Sequence, residues 1–297
     1  MKKVIAIVGP TAIGKTKISI SIAKRFGFDI ISADSVAVYK KLDIGSAKPT
    51  KDEMDGVKHY LIDVLEPNQQ YNVEEFQNLA RNIIDKSDKP VIIAGGTGLY
   101  VQSVLYNYEF DAPIRDTSFE NKYKEMDNDE LYKYLINKDP SIADRIHPNN
   151  RKRILRALEI LESTGKSITE FNGSHEPYYD FYIIYLNVDN RDVLYKRINE
   201  RVDKMFDDGL LTEVSNLYKK GIFPNAIGYK ELVPYFNNEI SLDTAKEEIK
   251  KNSRHLAKRQ MTWFKNQMNT HFYNVNLNNI EETINLISSD IDKFLKD

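Results

Sequence analysis

At 297 residues, with 41% hydrophobic and 29% charged residues, the chain has the composition of a folded globular protein of one large domain or two smaller ones, not of a disordered one. A net charge of −2 gives no global sign of polyanion binding, so a nucleic-acid role has to rest on local basic clusters. The lack of cysteine excludes disulfides, thiolate metal sites and a cysteine nucleophile, and the five histidines, His59, His147, His175, His255 and His271, stand at no metal-ligand spacing.

The first element is the β-branched run Val4-Ile5-Ala6-Ile7-Val8, a buried strand. Gly9-Pro10-Thr11-Ala12-Ile13-Gly14-Lys15-Thr16 follows and fits G-x-x-x-x-G-K-[ST], leading into a helix over residues 17–25 in which Ile18 and Ile22 share a face. In that setting loop N–H groups and a helix N-terminus face an anion, Lys15 adds charge, and the Thr16 hydroxyl is free to hold Mg²⁺. A diphosphate or triphosphate is the expected ligand. Further strands are expected at 29–32, 59–63 and 89–94, the last after an amphipathic helix over 73–86. This alternation predicts an α/β fold, a mostly parallel sheet flanked by helices with ligands at the carboxyl ends of its strands, like that of the phosphate-loop NTPases.

Around Phe110-Asp111-Ala112-Pro113 the pattern changes, and from Thr117 to Thr164 it is helical throughout, punctuated by Asp139-Pro140, His147-Pro148 and Gly165. An inserted all-helical lobe over 112–179 within a core of 1–111 and 180–297 is the expected organisation. Tyr182-Ile183-Ile184-Tyr185-Leu186 restores a strand, long amphipathic helices follow, and His271-Phe272-Tyr273 suits a last short one. No apolar run approaches ~18 residues and the first strand starts almost at the N-terminus, so neither membrane span nor signal peptide is expected, and the cytoplasm is the expected compartment.

A motor or switch NTPase should end a second strand in an Asp that serves the Mg²⁺ hydration shell. Here Val91-Ile92-Ile93-Ala94 runs into Gly95-Gly96-Thr97-Gly98 instead. The strand that ends in acid is Ile30-Ile31-Ser32-Ala33-Asp34-Ser35, whose carboxylate is open to three readings: metal ligand, helix cap or general base.

The phosphate loop, the segment Ile31-Ser32-Ala33-Asp34-Ser35-Val36-Ala37-Val38-Tyr39-Lys40, Leu42-Asp43-Ile44-Gly45-Ser46-Ala47-Lys48-Pro49 and Gly95-Gly96-Thr97-Gly98-Leu99-Tyr100 together resemble the bacterial tRNA dimethylallyltransferases. Further matches are Arg145-Ile146-His147-Pro148-Asn149, the segment 151–159, Ile227-Gly228-Tyr229-Lys230 and Ala257-Lys258-Arg259-Gln260-Met261-Thr262-Trp263-Phe264, in family order along nearly the whole chain. The cysteine-free end at Asp297 is similar to the bacterial form, which lacks the eukaryotic zinc finger. The resemblance implies transfer of a dimethylallyl group from dimethylallyl diphosphate to N6 of the adenosine 3′-adjacent to the anticodon; Mg²⁺ is expected at Thr16, and as nothing in the sequence demands an oligomer, a monomer is the expectation. It implies Asp34 as the base, Thr97 as the residue that contacts the base and orients Asp34, and Arg201 in preference to Arg197 as the diphosphate contact. Asp34, Ser35, Val36 and Ala37 match the segment lining the channel for the extruded adenosine.

Two basic clusters suit RNA phosphates. On the helix over 151–163, Ile154, Leu158 and Leu161 form the buried stripe and leave Arg151, Lys152, Arg153 and Arg156 facing outward. Lys250, Lys251, Arg254, Lys258 and Arg259, ahead of Trp263 and Phe264, form the second. A solvated helix face has the same look. Competing readings are a phosphate-loop small-molecule kinase, an RNA-binding module switched by a nucleotide, and a relative that prenylates free adenine nucleotides.

Overall fold

The computed structural model describes residues 1–108, 110, 116, 118–171, 176–277 and 279–297. The pattern change at Asp111, Ala112 and Pro113, the helical start at Thr117, and His175 lie outside the described residues. β1 (Lys3–Val8), α1 (Lys15–Phe26) and β2 (Asp29–Ala33) open the chain, followed by α2 (Lys51–Met54), β3 (His59–Tyr60), α3 (Val73–Lys86), β4 (Val91–Gly95) and α4 (Gly98–Leu105). After α5 (Asn128–Lys138) and α6 (Arg151–Thr164) come β5 (Asp180–Asn187), α7 (Arg191–Asp207), α8 (Leu210–Tyr218), α9 (Val233–Phe236), α10 (Leu242–Gln267), β6 (His271–Asn274) and α11 (Ile280–Lys296).

The strands form one parallel sheet in the order β3-β2-β4-β1-β5-β6. Val4 to Val8 at its centre are wholly inaccessible, as expected of a strand covered on both faces. Ile18, Ile20, Ile22 and Ala23 of α1 and Ile284, Ile287 and Ile291 of α11 share the core cluster on Ile5, Ile7 and Ile184. A second cluster joins Val202 of α7, Leu210, Val214 and Leu217 of α8, and Ala245 and Ile249 of α10 to Leu42, Tyr229 and Leu232.

Because the strands are parallel, helix C-termini collect at the opposite edge of the sheet, where unsatisfied carbonyls gather. Lysines meet them: Lys2 Nζ donates to the Ile84, Asp85 and Ser87 carbonyls, Lys3 to Phe294 and Lys89 to Gly27. Cations at that end also suit the helix dipoles.

Two expectations need correcting. The strand expected over 59–63 stops at Tyr60, because Leu61 and Asp63 take left-handed φ of 62° and 56°. The turn they make is tied back by N–H bonds from Asp63 to Ala37 and from Val64 to Val38. The strand expected from Lys89 starts at Val91, after Pro90, which has no N–H to give a ladder.

The chain divides into two compact units, 1–105 with 177–297, and 106–176, whereas the sequence pattern draws the boundaries at 112 and 179. In the smaller unit α5 begins in a capping box, Asp127 with Glu130. Its core gathers Leu131 and Leu135 of α5 with Ile154, Leu155 and Leu158 of α6, Ile142 and Ile146 between them, and Tyr123.

Candidate active site

Sheet register brings three loops to one level. Val8 pairs with Gly95 and Gly95 with Ala33, so Gly9, Gly96 and Asp34 leave the carboxyl edge side by side. Gly14, with a φ of 102° that L side chains resist, caps α1 without a side-chain bond, which leaves the first N–H groups of that helix for an anion. Lys15 Nζ folds over the loop and donates to the carbonyls of Gly9 (2.9 Å) and Pro10 (2.8 Å). Thr16 is exposed.

α7 delivers two arginines to this loop, one turn apart. Arg201 Nη1 donates to Thr11 Oγ1 at 3.0 Å, while Arg197 Nε donates to the Ala12 carbonyl at 3.1 Å, at a residue whose φ is 63°. Leu194, Ile198 and Val202 are the buried seam between α7 and the core, and Met205 is only half-buried. Burial pushes the Lys15 ammonium down to about 7, the nearby Arg201 adds to the shift and Asp34 opposes it. Burial likewise works against the charge of Arg201, with Asp34 and then Glu53 opposing. Two desolvated cations beside one carboxylate are a charge set that an anionic ligand balances.

Asp34 Oδ1 accepts the N–H groups of Val36 (2.8 Å) and Ala37 (3.2 Å), so one oxygen shapes the turn after β2. Asp34 lines the same pocket as Lys15, Thr16, Ser32, Ala37 and Lys48. Thr97 opens α4 and is bound to β2 through its backbone, its N–H meeting the Ala33 carbonyl at 3.3 Å. Ser35 is exposed, Ala37 is buried, and Val36 packs at the margin of the α7–α10 cluster.

The profile of the IPP transferase family matches residues 37–267, most of the chain. The chain belongs to that family. A tRNA dimethylallyltransferase of Anoxybacillus flavithermus is 48% identical over 284 residues, covering 92% of this chain and 91% of the relative. The crystal structure of a tRNA delta(2)-isopentenylpyrophosphate transferase from Staphylococcus epidermidis is similar at a TM-score of 0.72 and 42% identity, covering 99% of each chain. A eukaryotic dimethylallyltransferase acting on tRNA matches at a TM-score of 0.82 and 28% identity, over 99% of this chain and 80% of that one. The parallel sheet with flanking helices is thus an IPP transferase fold.

In this IPP transferase family member the outward basic cluster expected on α6 is smaller than its spacing suggests. The Arg151 guanidinium is spent on the carbonyls of Tyr123 (2.6 Å) and Met126 (2.7 Å), and Arg156 pairs with the buried Glu159 at 2.8 Å. Lys152 and Arg153 remain exposed. Leu161 is only half-buried, and the helix instead buries Leu155, Ala157 and Ile160 beside Ile154 and Leu158. On α10, Lys250 pairs with Asp203 and Glu247, Lys251 with Glu248, and Arg254 donates to Asn199. Lys258 and Arg259 stay exposed. Helical spacing says which side chains flank a stripe, but long side chains fold back onto any acceptor within reach.

Three residues that support the site escaped the sequence reading. Glu213 of α8 accepts the N–H groups of Asp43, Ile44 and Gly45 and the Tyr229 hydroxyl, anchoring the loop that forms one pocket wall. Lys48 is almost fully buried, donates to the Tyr39 carbonyl and pairs with Asp43 and Asp63. Gln260 bonds both the phosphate loop and the glycine turn. Lys48 and Gln260 stand inside segments already noted for their resemblance, but Glu213, 168 to 170 residues from the three N–H groups it accepts, carried no signal.

Proposed function

We propose that the chain is a tRNA dimethylallyltransferase that moves a dimethylallyl group from dimethylallyl diphosphate to N6 of the adenosine 3′-adjacent to the anticodon. The observation that carries this reading is a carboxylate, Asp34, sharing one pocket with Lys15 and Thr16 at the N-terminus of α1, while Arg201 is bonded to Thr11 of the same phosphate loop. An allylic diphosphate reacts by breaking its C–O bond, the electron pair leaving with diphosphate while positive charge grows on carbon. Lys15, Arg201 and the loop 9–16 stabilise the departing anion. The adenine amine is a poor nucleophile, because its lone pair is delocalised into the ring. As the C–N bond forms, Asp34 takes the amine proton. Thr97, on the turn between β4 and α4, contacts the adenine, and Ser35, Val36 and Ala37 line its path.

Mg²⁺ fits the loop. The exposed Thr16 hydroxyl follows the phosphate-loop lysine, and Mg²⁺ typically needs one or two protein oxygens besides water and phosphate. Bound there, it would neutralise charge on the diphosphate.

The anticodon stem-loop is the RNA partner, met by Asp34, Thr97 and the exposed bases Lys152, Arg153, Lys258 and Arg259. The names of the relatives and the tRNA-acting neighbour support this, as does the need to extrude a base whose amine is to react. Among the described residues no helix is long and apolar enough to cross a membrane, and a monomer working in the cytoplasm completes the proposal. The deciding experiment incubates the protein with Mg²⁺, dimethylallyl diphosphate and an anticodon stem-loop, without ATP, and reads the nuclease digest by mass spectrometry. A mass gain of one dimethylallyl group on the expected adenosine supports the reading; equal activity on free AMP, or none on the stem-loop, overturns it.

Salt dependence tests the RNA face. Replacing Lys152 and Arg153 together by Ala should shallow the log–log slope of stem-loop affinity against salt by ~1 to 2, as two phosphate contacts are lost. Arg151→Ala should instead cost about 1–3 kcal/mol of stability, because two half-buried carbonyls lose a charged donor. A slope unchanged in the Lys152/Arg153 variant, by filter binding across a salt series, removes α6 from the interface.

A further inference from the structure

The carboxamide of Gln260 stands between two loops that leave different strands. Its Oε1 accepts the Thr11 N–H at 2.9 Å, and its Nε2 donates to the Gly96 carbonyl at 3.2 Å. One helical turn further along α10, the Trp263 indole lies against Gly98. α10 therefore touches the glycine turn on both sides of Thr97.

We infer that Gln260 is a positioning residue that sets the register between the phosphate loop and the turn carrying Thr97. The inference rests on the proposed function, in which the first loop holds the leaving diphosphate and the second the accepting base. A carboxamide alone among uncharged side chains of this length offers an acceptor to one loop and a donor to the other at once. By occupying the Thr11 N–H it also dictates which loop amides stay turned towards the anion. Group transfer is sensitive to such registration, since misplacing the reacting atoms by about 1 Å can cost ~10²-fold in rate.

Gly96 supplies a test specific to this contact. Its φ is not in the left-handed region, so alanine suits the backbone, yet a Cβ there would stand 2.1 Å from Gln260 Nε2. The far end of a flexible side chain yields before the sheet does, so Gly96→Ala should push the carboxamide out of place and mimic its removal. Gln260→Ala and Gly96→Ala should each lower kcat/KM for dimethylallyl transfer to an anticodon stem-loop by ~10- to 10²-fold. Stem-loop KM and Tm should stay near those of the parent. The double variant should be no worse than the poorer single one, the non-additivity of two changes acting on one contact.

Calorimetric titration with inorganic diphosphate reads the phosphate loop independently of any acceptor. Gln260→Ala should weaken it several-fold, and adding Gly96→Ala should change little more. A parent chain inactive on the stem-loop would overturn the proposed function and leave this titration to decide about Gln260. Losses that multiply in the double variant, or diphosphate affinity and transfer rate both unchanged in Gln260→Ala, overturn the inference.

Discussion

Asp34→Asn is expected to lower kcat by ~10² to 10⁴ while leaving affinity for an anticodon stem-loop nearly unchanged. The reason lies in how the carboxylate is used. Oδ1 holds the turn by accepting from Val36 and Ala37, and an asparagine Oδ1 can accept the same two bonds. The shape of the pocket is thereby kept, and what disappears is an oxygen able to take a proton from the adenine amine. Single-turnover rates with saturating RNA separate chemistry from binding. If the variant loses stem-loop binding yet keeps its single-turnover rate, Asp34 recognises RNA and is not the base.

Lys15→Ala is expected to raise KM for dimethylallyl diphosphate and lower kcat, for a combined loss of ~10- to 10²-fold or more. A hydrogen bond to a charged partner contributes about 1.5–3 kcal/mol, and this one strengthens as negative charge gathers on the leaving group. The effect on the fold should be small. Burial and Arg201 both act against the Lys15 charge, so its removal relieves a penalty that offsets the lost bonds to the Gly9 and Pro10 carbonyls. Steady-state kinetics beside a melting curve make the check: unchanged KM and kcat, or a collapse of Tm, would take Lys15 out of the site.

Much of the candidate site was legible because it is local. A phosphate loop is eight consecutive residues whose backbone does the binding, and Asp34 announces itself by ending a strand. The family segments added Thr97 and the choice of Arg201 over Arg197. Both arginines reach the loop, Arg201 at the Thr11 hydroxyl and Arg197 at the Ala12 carbonyl, so the choice between them rests on the family segment. The basic clusters were the least legible part. Arg151 and Arg156 look like Lys152 and Arg153 on a helical wheel, and only the carbonyls of Tyr123 and Met126 and the carboxylate of Glu159 tell them apart.

The sequence alone determined the α/β alternation, the phosphate loop with its helix and the helical segments of the insertion, since hydrophobic period and turn chemistry act within a few residues of chain, and the resemblance of its segments pointed to the family. Tertiary structure alone decided the strand order β3-β2-β4-β1-β5-β6, and with it the levelling of Gly9, Asp34 and Gly96 at one edge. It also decided that Glu213 would anchor the loop at 43–45 and that Gln260 would bridge residues 11 and 96. Those contacts join residues 164 to 249 positions apart. A hydrogen bond depends on where two atoms stand in space, and across such separations that is set by the packing of the whole sheet and its helices rather than by any local pattern.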